Sequence, residues 1–95
     1  MQKTTYTKVT HVLRDYNGNY LKEGSTDPEA PIFVDNEKLA RQFNGFVFAQ
    51  AYAGRINEHY NANGIIDVWG QPKQVQVYRM TITTVVEPAT VSDPR

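Results

Sequence analysis

His11 and His59 are the two side chains of this sequence that titrate near neutral pH unaided, and so the first candidates for passing a proton. Sequence spacing gives neither of them a partner. His11 stands between Val9 and Leu13 on what reads as one strand face, where packing and hydrogen bonding account for it. His59 falls near the end of a helical segment, where a cation interacts favourably with the helix dipole. A metal site made from His59 with Glu58 or Asp67 fails on spacing. Adjacent helix residues point in different directions, and Asp67 lies beyond the stop signal Asn63-Gly64. Asp27 and Glu29 share a loop, and Asp15 and Glu23 can approach across a hairpin. Surface carboxylates stay ionised and solvated unless burial or a like charge changes them, so neither pair reads as a catalytic dyad. There is no Walker loop, dinucleotide fingerprint or serine elbow, and the six glycines are dispersed as turn and packing residues. The expectation is a protein that is not an enzyme, with no catalytic, cofactor-binding or metal-binding residues.

Composition narrows the partners. Ninety-five residues make one domain with a small core. Ten basic and ten acidic residues give no net charge, and they are scattered, so no footprint for a phosphate backbone stands out. Cysteine is absent, which removes disulfides and thiolate zinc sites, and the amino-terminal residues lack the apolar core of a secretion signal. No apolar run approaches the roughly 20 residues of a membrane-spanning helix. A cytoplasmic protein that does not enter membranes is the expectation.

The elements that would position any site follow from periodicity. Residues 4–14 are rich in Thr, Val and Tyr and read as a strand. Asp15-Tyr16-Asn17-Gly18 carries Asp and Gly where a type I turn with a glycine bulge wants them. That three-residue loop sets Leu13 opposite Leu21 and Arg14 opposite Tyr20. Residues 24–31, with two prolines, form a surface loop leading into the apolar run Ile32-Phe33-Val34. Asp35 or Asn36 can cap a helix over about 36–61, roughly 39 Å long, with Gly45 as a possible break. Residues 65–69 read as a short strand, 70–73 as a turn and 74–86 as the longest strand. In that last strand Tyr78, Met80 and Ile82 point one way and Val75, Val77, Arg79, Thr81 and Thr83 the other, with both faces open to partial cover. The fold class is α+β: two layers, a small antiparallel sheet of three to four strands packed on one main helix. A single domain covers 1–87, and 88–95 is a loose tail.

Residues 42–54 (QFNGFVFAQAYAG) hold no charge although a fifth of the chain is charged, which predicts cover on more than one side. At 100° per residue, Leu39, Phe43, Phe46, Val47, Gln50 and Gly54 fall on one side of a helix, taken to face the sheet. Arg41, Phe48, Tyr52, Arg55 and His59 fall on the other. Phe48 and Tyr52 are neighbours there, and Gly45, Ala49 and Ala53 form a row of small residues beside them that lets a second backbone approach. These five, Gly45, Phe48, Ala49, Tyr52 and Ala53, are the expected interface of a homodimer, the commonest closed assembly, with an unidentified protein partner as the variant of that idea. Aspartate at Phe48 or Tyr52 is expected to shift such a dimer toward monomer.

A second reading uses the sheet aromatics Tyr6, Tyr16, Tyr20, Tyr78 and Trp69. If they shared a face with Lys3, Lys8, Arg14 and Arg79, they would form a stacking platform for single-stranded nucleic acid, with Tyr78 and Arg79 as its key pair. Neutral net charge argues against that partner. The layout of strand, Asn17-Gly18 turn, Tyr20-Leu21, loop, Pro31-Ile32-Phe33 and helix resembles small uncharacterised proteins of bacteria and their phages, and it spans most of the chain. The resemblance implies an accessory or prophage-encoded factor and brings no activity with it.

Overall fold

In the computed structural model, which describes residues 3–89, the β-branched run near the amino-terminal end forms strand β1 (Thr4–Arg14). The chain then reverses tightly. The Asp15 carboxylate accepts hydrogen bonds from the amides of Asn17 and Asn19, each at 2.9 Å, and Gly18 takes a φ of 82°. This three-residue loop sets Arg14 opposite Tyr20 in strand β2 (Tyr20–Leu21), the register that turn chemistry implies. Leu13 and Leu21 are both fully buried. The apolar run after the proline loop supplies strand β3 (Phe33–Val34), which pairs with β2. The last strand, β4 (Gln76–Val86), pairs with β1 over its whole length, from Arg14↔Gln76 to Thr4↔Val86. The sheet is antiparallel in the order β3-β2-β1-β4, and helix α1 (Phe46–Ala62) packs on one face, an α+β fold.

The expected helix over 36–61 is two elements. A short 3₁₀ turn (Glu37–Leu39) is capped by Asn36, whose Oδ1 accepts from the Lys38 amide at 2.9 Å. The chain is then drawn out along the sheet edge. The Arg41 amide donates to the Leu21 carbonyl at 2.8 Å, and His11 and Phe43 exchange two backbone bonds of 2.8 and 3.2 Å. The open carbonyl of Leu21 on β2 and the free N–H and C=O of His11 on β1 claim residues that local propensity assigned to the helix. The α-helix starts only after Gly45, its extended N-cap, and runs through Gly54 without interruption.

With Leu39 and Phe43 outside it, the helix presents a different face to the sheet from the one expected. Ala49, Ala53 and Ile56 face the sheet, at 0, 5 and 0% exposure, and join Leu13, Leu21, Phe43 and Val75 in the core. Tyr52, Tyr60, Phe33 and Val77 flank that cluster. Of the residues expected against the sheet, Phe43 is buried, whereas Leu39, Phe46, Val47, Gln50 and Gly54 are exposed. The expected strand at 65–69 is also corrected. Asp67 turns the chain instead, its Oδ1 accepting from the Trp69 and Gln71 amides at 2.8 and 3.0 Å, and Gly70 has a φ of 79°. A single bridge, Ile66↔Pro72, is what remains of strand pairing there.

The start of β4 is fastened to the helix by one side chain. Asn57 accepts from the Val75 amide at 2.7 Å and donates to the Val75 carbonyl at 3.1 Å, as a neighbouring strand would. From there β4 crosses the core and runs beyond it. Among the described residues, 4–9 of β1 pair with 81–86 of β4 alone, and all twelve are exposed except the half-buried Ile82. The result is a two-stranded arm. The molecule extends 64 × 27 × 21 Å with a radius of gyration of 18.2 Å, against about 12 Å for a compact chain of this length. Residues 87–89 continue from the arm without regular structure, and the rest of the tail expected at 88–95 lies outside the described residues.

Candidate interaction surface

Among the described residues, the arm presents two unpaired strand edges. His11 spends its backbone N–H and C=O on Phe43, on the side of β1 away from β4, so His11 and Arg79 form a pair without mutual hydrogen bonds. The register between β1 and β4 is unbroken, so the alternation carries through. Val77, Arg79, Thr81, Thr83 and Val85 turn their backbone groups outward from β4, and Thr5, Thr7 and Val9 do so from β1. Among the described residues β4 is the outermost strand of the sheet, so its edge there is open for eleven residues. Natural sheets blunt such edges with charges, prolines or bulges. β4 has one charge, Arg79, and neither proline nor glycine, and Lys8 is the one charge in residues 4–9.

Side chains reinforce this character. Direct cross-strand partners share a face, so Tyr6, Lys8, Ile82, Thr84 and Val86 lie on one face of the arm. Thr5, Thr7, Val9, Thr81, Thr83 and Val85 lie on the face from which the helix packs further along. At the base of that second face His11 meets Phe46 edge-on, with centroids 5.9 Å apart, and Phe46, Val47 and Phe48 are exposed around the first turn of α1.

The five residues expected at a helix interface separate. Ala49 and Ala53 lie in the protein's own core, so the small-residue row serves close approach of the helix to its own sheet, the reverse of the outward placement expected. Tyr52 is half-buried; its hydroxyl donates to the Ser25 carbonyl at 3.2 Å, and its ring holds the Arg41 guanidinium at 4.6 Å. Gly45 is the N-cap. Phe48 alone projects, at 69% exposure. The physical reason is that Leu39 and Phe43, which defined the expected inward face, lie outside the helix, so α1 is free to turn Ala49, Ala53 and Ile56 to the sheet.

Tyr78 and Arg79 point to opposite faces because they are consecutive in a strand, so one base cannot stack on the first while meeting the second. Tyr6, Lys8, Arg14, Tyr20 and Tyr78 do share a face. There the Arg14 guanidinium lies 4.9 Å from the centres of both Tyr20 and Tyr78 and donates to the Gly18 carbonyl at 3.1 and 3.2 Å, a contact internal to the fold. Tyr16 and Trp69 meet edge-on at the hairpin end, 6.5 Å apart.

The histidines are also apart. His11 is half-buried with Nδ1 enclosed and unpartnered. His59 borders a groove with Asp27, Glu29, Glu58 and Arg55, where its Nδ1 lies 3.1 Å from the Asn63 amide nitrogen. The Asp27 carboxylate is already engaged by the Glu29 amide at 2.9 Å. No cluster of three or more His, Asp or Glu suited to a metal ion occurs among the described residues. One titration is displaced: burial, helped by the Asp15 carboxylate, holds the Tyr60 phenol above its ordinary 10.0.

No helix among the described residues is long and apolar enough to cross a membrane. No family model, curated protein or solved structure matches the chain. What sequence reasoning missed here is the arm itself and the Asn57 clamp that launches it. The signal for the arm was in the sequence: a strand of β-branched residues with two similar faces and one charge.

Proposed function

We propose that this protein is a small interaction module that self-associates through the open arm of its sheet. The observation that carries this is the arm's exposure: residues 4–9 and 81–86 form a two-stranded ribbon in which every residue but the half-buried Ile82 is exposed. An isolated pair of strands is marginal in water, and a long strand edge with a single charge and no proline is a template for pairing with another chain. A second copy is the simplest supplier of that strand, since zero net charge removes long-range repulsion between copies. A cytoplasmic accessory role belongs to the same proposal, supported by the cysteine-free composition and by the resemblance to small bacterial and phage proteins.

Sedimentation velocity between about 1 µM and 1 mM tests it. Wild type forms a dimer whose share rises with concentration, and Thr83→Pro is monomeric with an unchanged circular dichroism spectrum. Thr83 donates no ladder bond to β1, so proline there removes an outward donor and no internal one. Phe48→Asp leaves the dimer in place, which separates the arm from the helix end. A wild type that stays monomeric throughout overturns the proposal.

The sharing of one face by Tyr6, Lys8, Arg14, Tyr20 and Tyr78 favours a second reading, a weak binder of single-stranded nucleic acid. Such binding would fall steeply with salt, and its absence near 50 mM salt removes it.

A further inference from the structure

The outward groups of β4 specify how a second copy would sit. Any antiparallel pairing of β4 with itself must set outward residues opposite outward residues, so the odd-numbered positions meet one another. The register that overlaps the whole strand has its centre at Thr81, midway between the strand ends Gln76 and Val86. Resting on the self-association reading, we infer that two copies join β4 to β4 about a two-fold axis at Thr81, making one eight-stranded sheet in the order β3-β2-β1-β4-β4-β1-β2-β3.

Side chains agree with this register. Thr81 meets itself, Val77 meets Val85 of the second copy, and Met80 meets Ile82, each an apolar or neutral match on its own face. The strand's one charge, Arg79, lies opposite Thr83. Moving the axis two residues toward the helix, to Arg79, would place the two guanidinium groups against each other and leave the far end of each strand unpaired. The centred register forms five outward pairs and roughly ten backbone hydrogen bonds. It also separates the two helical layers, because antiparallel strands put the bodies at opposite ends, about 36 Å of strand apart. The arm of each copy then lies beside the body end of the other. The matching edge of β1 is shorter, since Phe43 already occupies it at His11.

Spin labels read the register directly, and the absence of cysteine makes single-site labelling clean. Nitroxides are placed on T81C, T83C and V85C, one at a time, and each variant's dimer content is checked by sedimentation. At ~3.4 Å of rise per residue and ~5 Å between strands, backbone separations across the axis are about 5, 15 and 28 Å for the three sites. The expected result is strong dipolar broadening at Thr81 and pulsed distances that lengthen from Thr83 to Val85. If a label at Thr81 blocks pairing, the values of about 15 and 28 Å at the other two carry the same information, since an axis at Arg79 would set them at about 28 and 41 Å. Dimers whose label distances fail to lengthen from Thr81 to Val85, or lengthen through about 28 and 41 Å at Thr83 and Val85 as an axis at Arg79 would give, overturn this register and leave self-association standing. Monomers at every unlabelled wild-type concentration overturn both.

Discussion

Ala49→Leu is the substitution that most sharply tests the helix orientation. Had the helix run unbroken from residue 36, Ala49 would lie on an outward row and accept leucine easily. In the structure Ala49 has no exposed surface and sits in the cluster formed by Leu13, Leu21, Phe43, Ala53, Ile56 and Val75. Three extra carbons in a packed site displace the helix from the sheet or force strained rotamers, at about 1–3 kcal/mol. At roughly 2.1 cal/mol/K per residue, the unfolding entropy of 95 residues is about 0.2 kcal/mol/K, so ~2 kcal/mol lowers Tm by about 10 °C. Thermal denaturation followed at 222 nm measures this, with protein concentration held fixed because association raises apparent stability. Phe48→Asp is the control. Phe48 is exposed in the first turn of α1, a turn with no acidic residue and no side-chain cap, so aspartate there is neutral or slightly stabilising. An Ala49→Leu variant melting within about 2 °C of wild type would refute the inward placement of the alanines.

Two further outcomes follow from the core and its clamp. Asn57→Ala strips partners from both the amide and the carbonyl of Val75, a residue 3% exposed, and is expected to destabilise the fold by about 2–4 kcal/mol in urea denaturation. Asn57→Asp keeps the acceptor and loses the donor, and falls between that variant and wild type. The raised Tyr60 pKa has a sign that can be checked. The phenol ionises near 10.0 when unfolded and higher when folded, so the folded state holds the proton more tightly. Its contribution is complete below the unfolded value and is lost as pH rises through the folded one. Stability measured from pH 8 upward should therefore decline beginning near 10, with a shallower decline in Tyr60→Phe.

The hairpin was legible because its determinants are local: Asp15 and Gly18 dictate the loop, and the loop dictates that Arg14 faces Tyr20. The helix phase was not, because residues 40–43 are held by Leu21 and His11, partners about 20 and 32 positions away in sequence that no window contains. The alanines show a deeper ambiguity. A small-residue row permits close approach by any backbone, and periodicity cannot say whether that backbone is the protein's own sheet or a second molecule. Among the candidate interface residues, Phe48 kept its expected exposure while Tyr52 turned toward Ser25 and Arg41. Asn57 carried no signal, since a lone asparagine in a helix reads as a solvent-facing residue. The similar faces of β4 were read as a sign of cover on both sides; in the structure they mark the stretch that leaves the core.

Hydrogen exchange at the arm, resolved residue by residue by NMR, bears most directly on self-association through β4. In a lone molecule the amides of Ile82 and Thr84 point at β1, while those of Thr81, Thr83 and Val85 point at solvent. Pairing through the β4 edge predicts that these last three become protected as protein concentration rises, and that Thr83→Pro abolishes the protection at its neighbours. Fast exchange at Thr81, Thr83 and Val85 that does not change across the concentration range would contradict it.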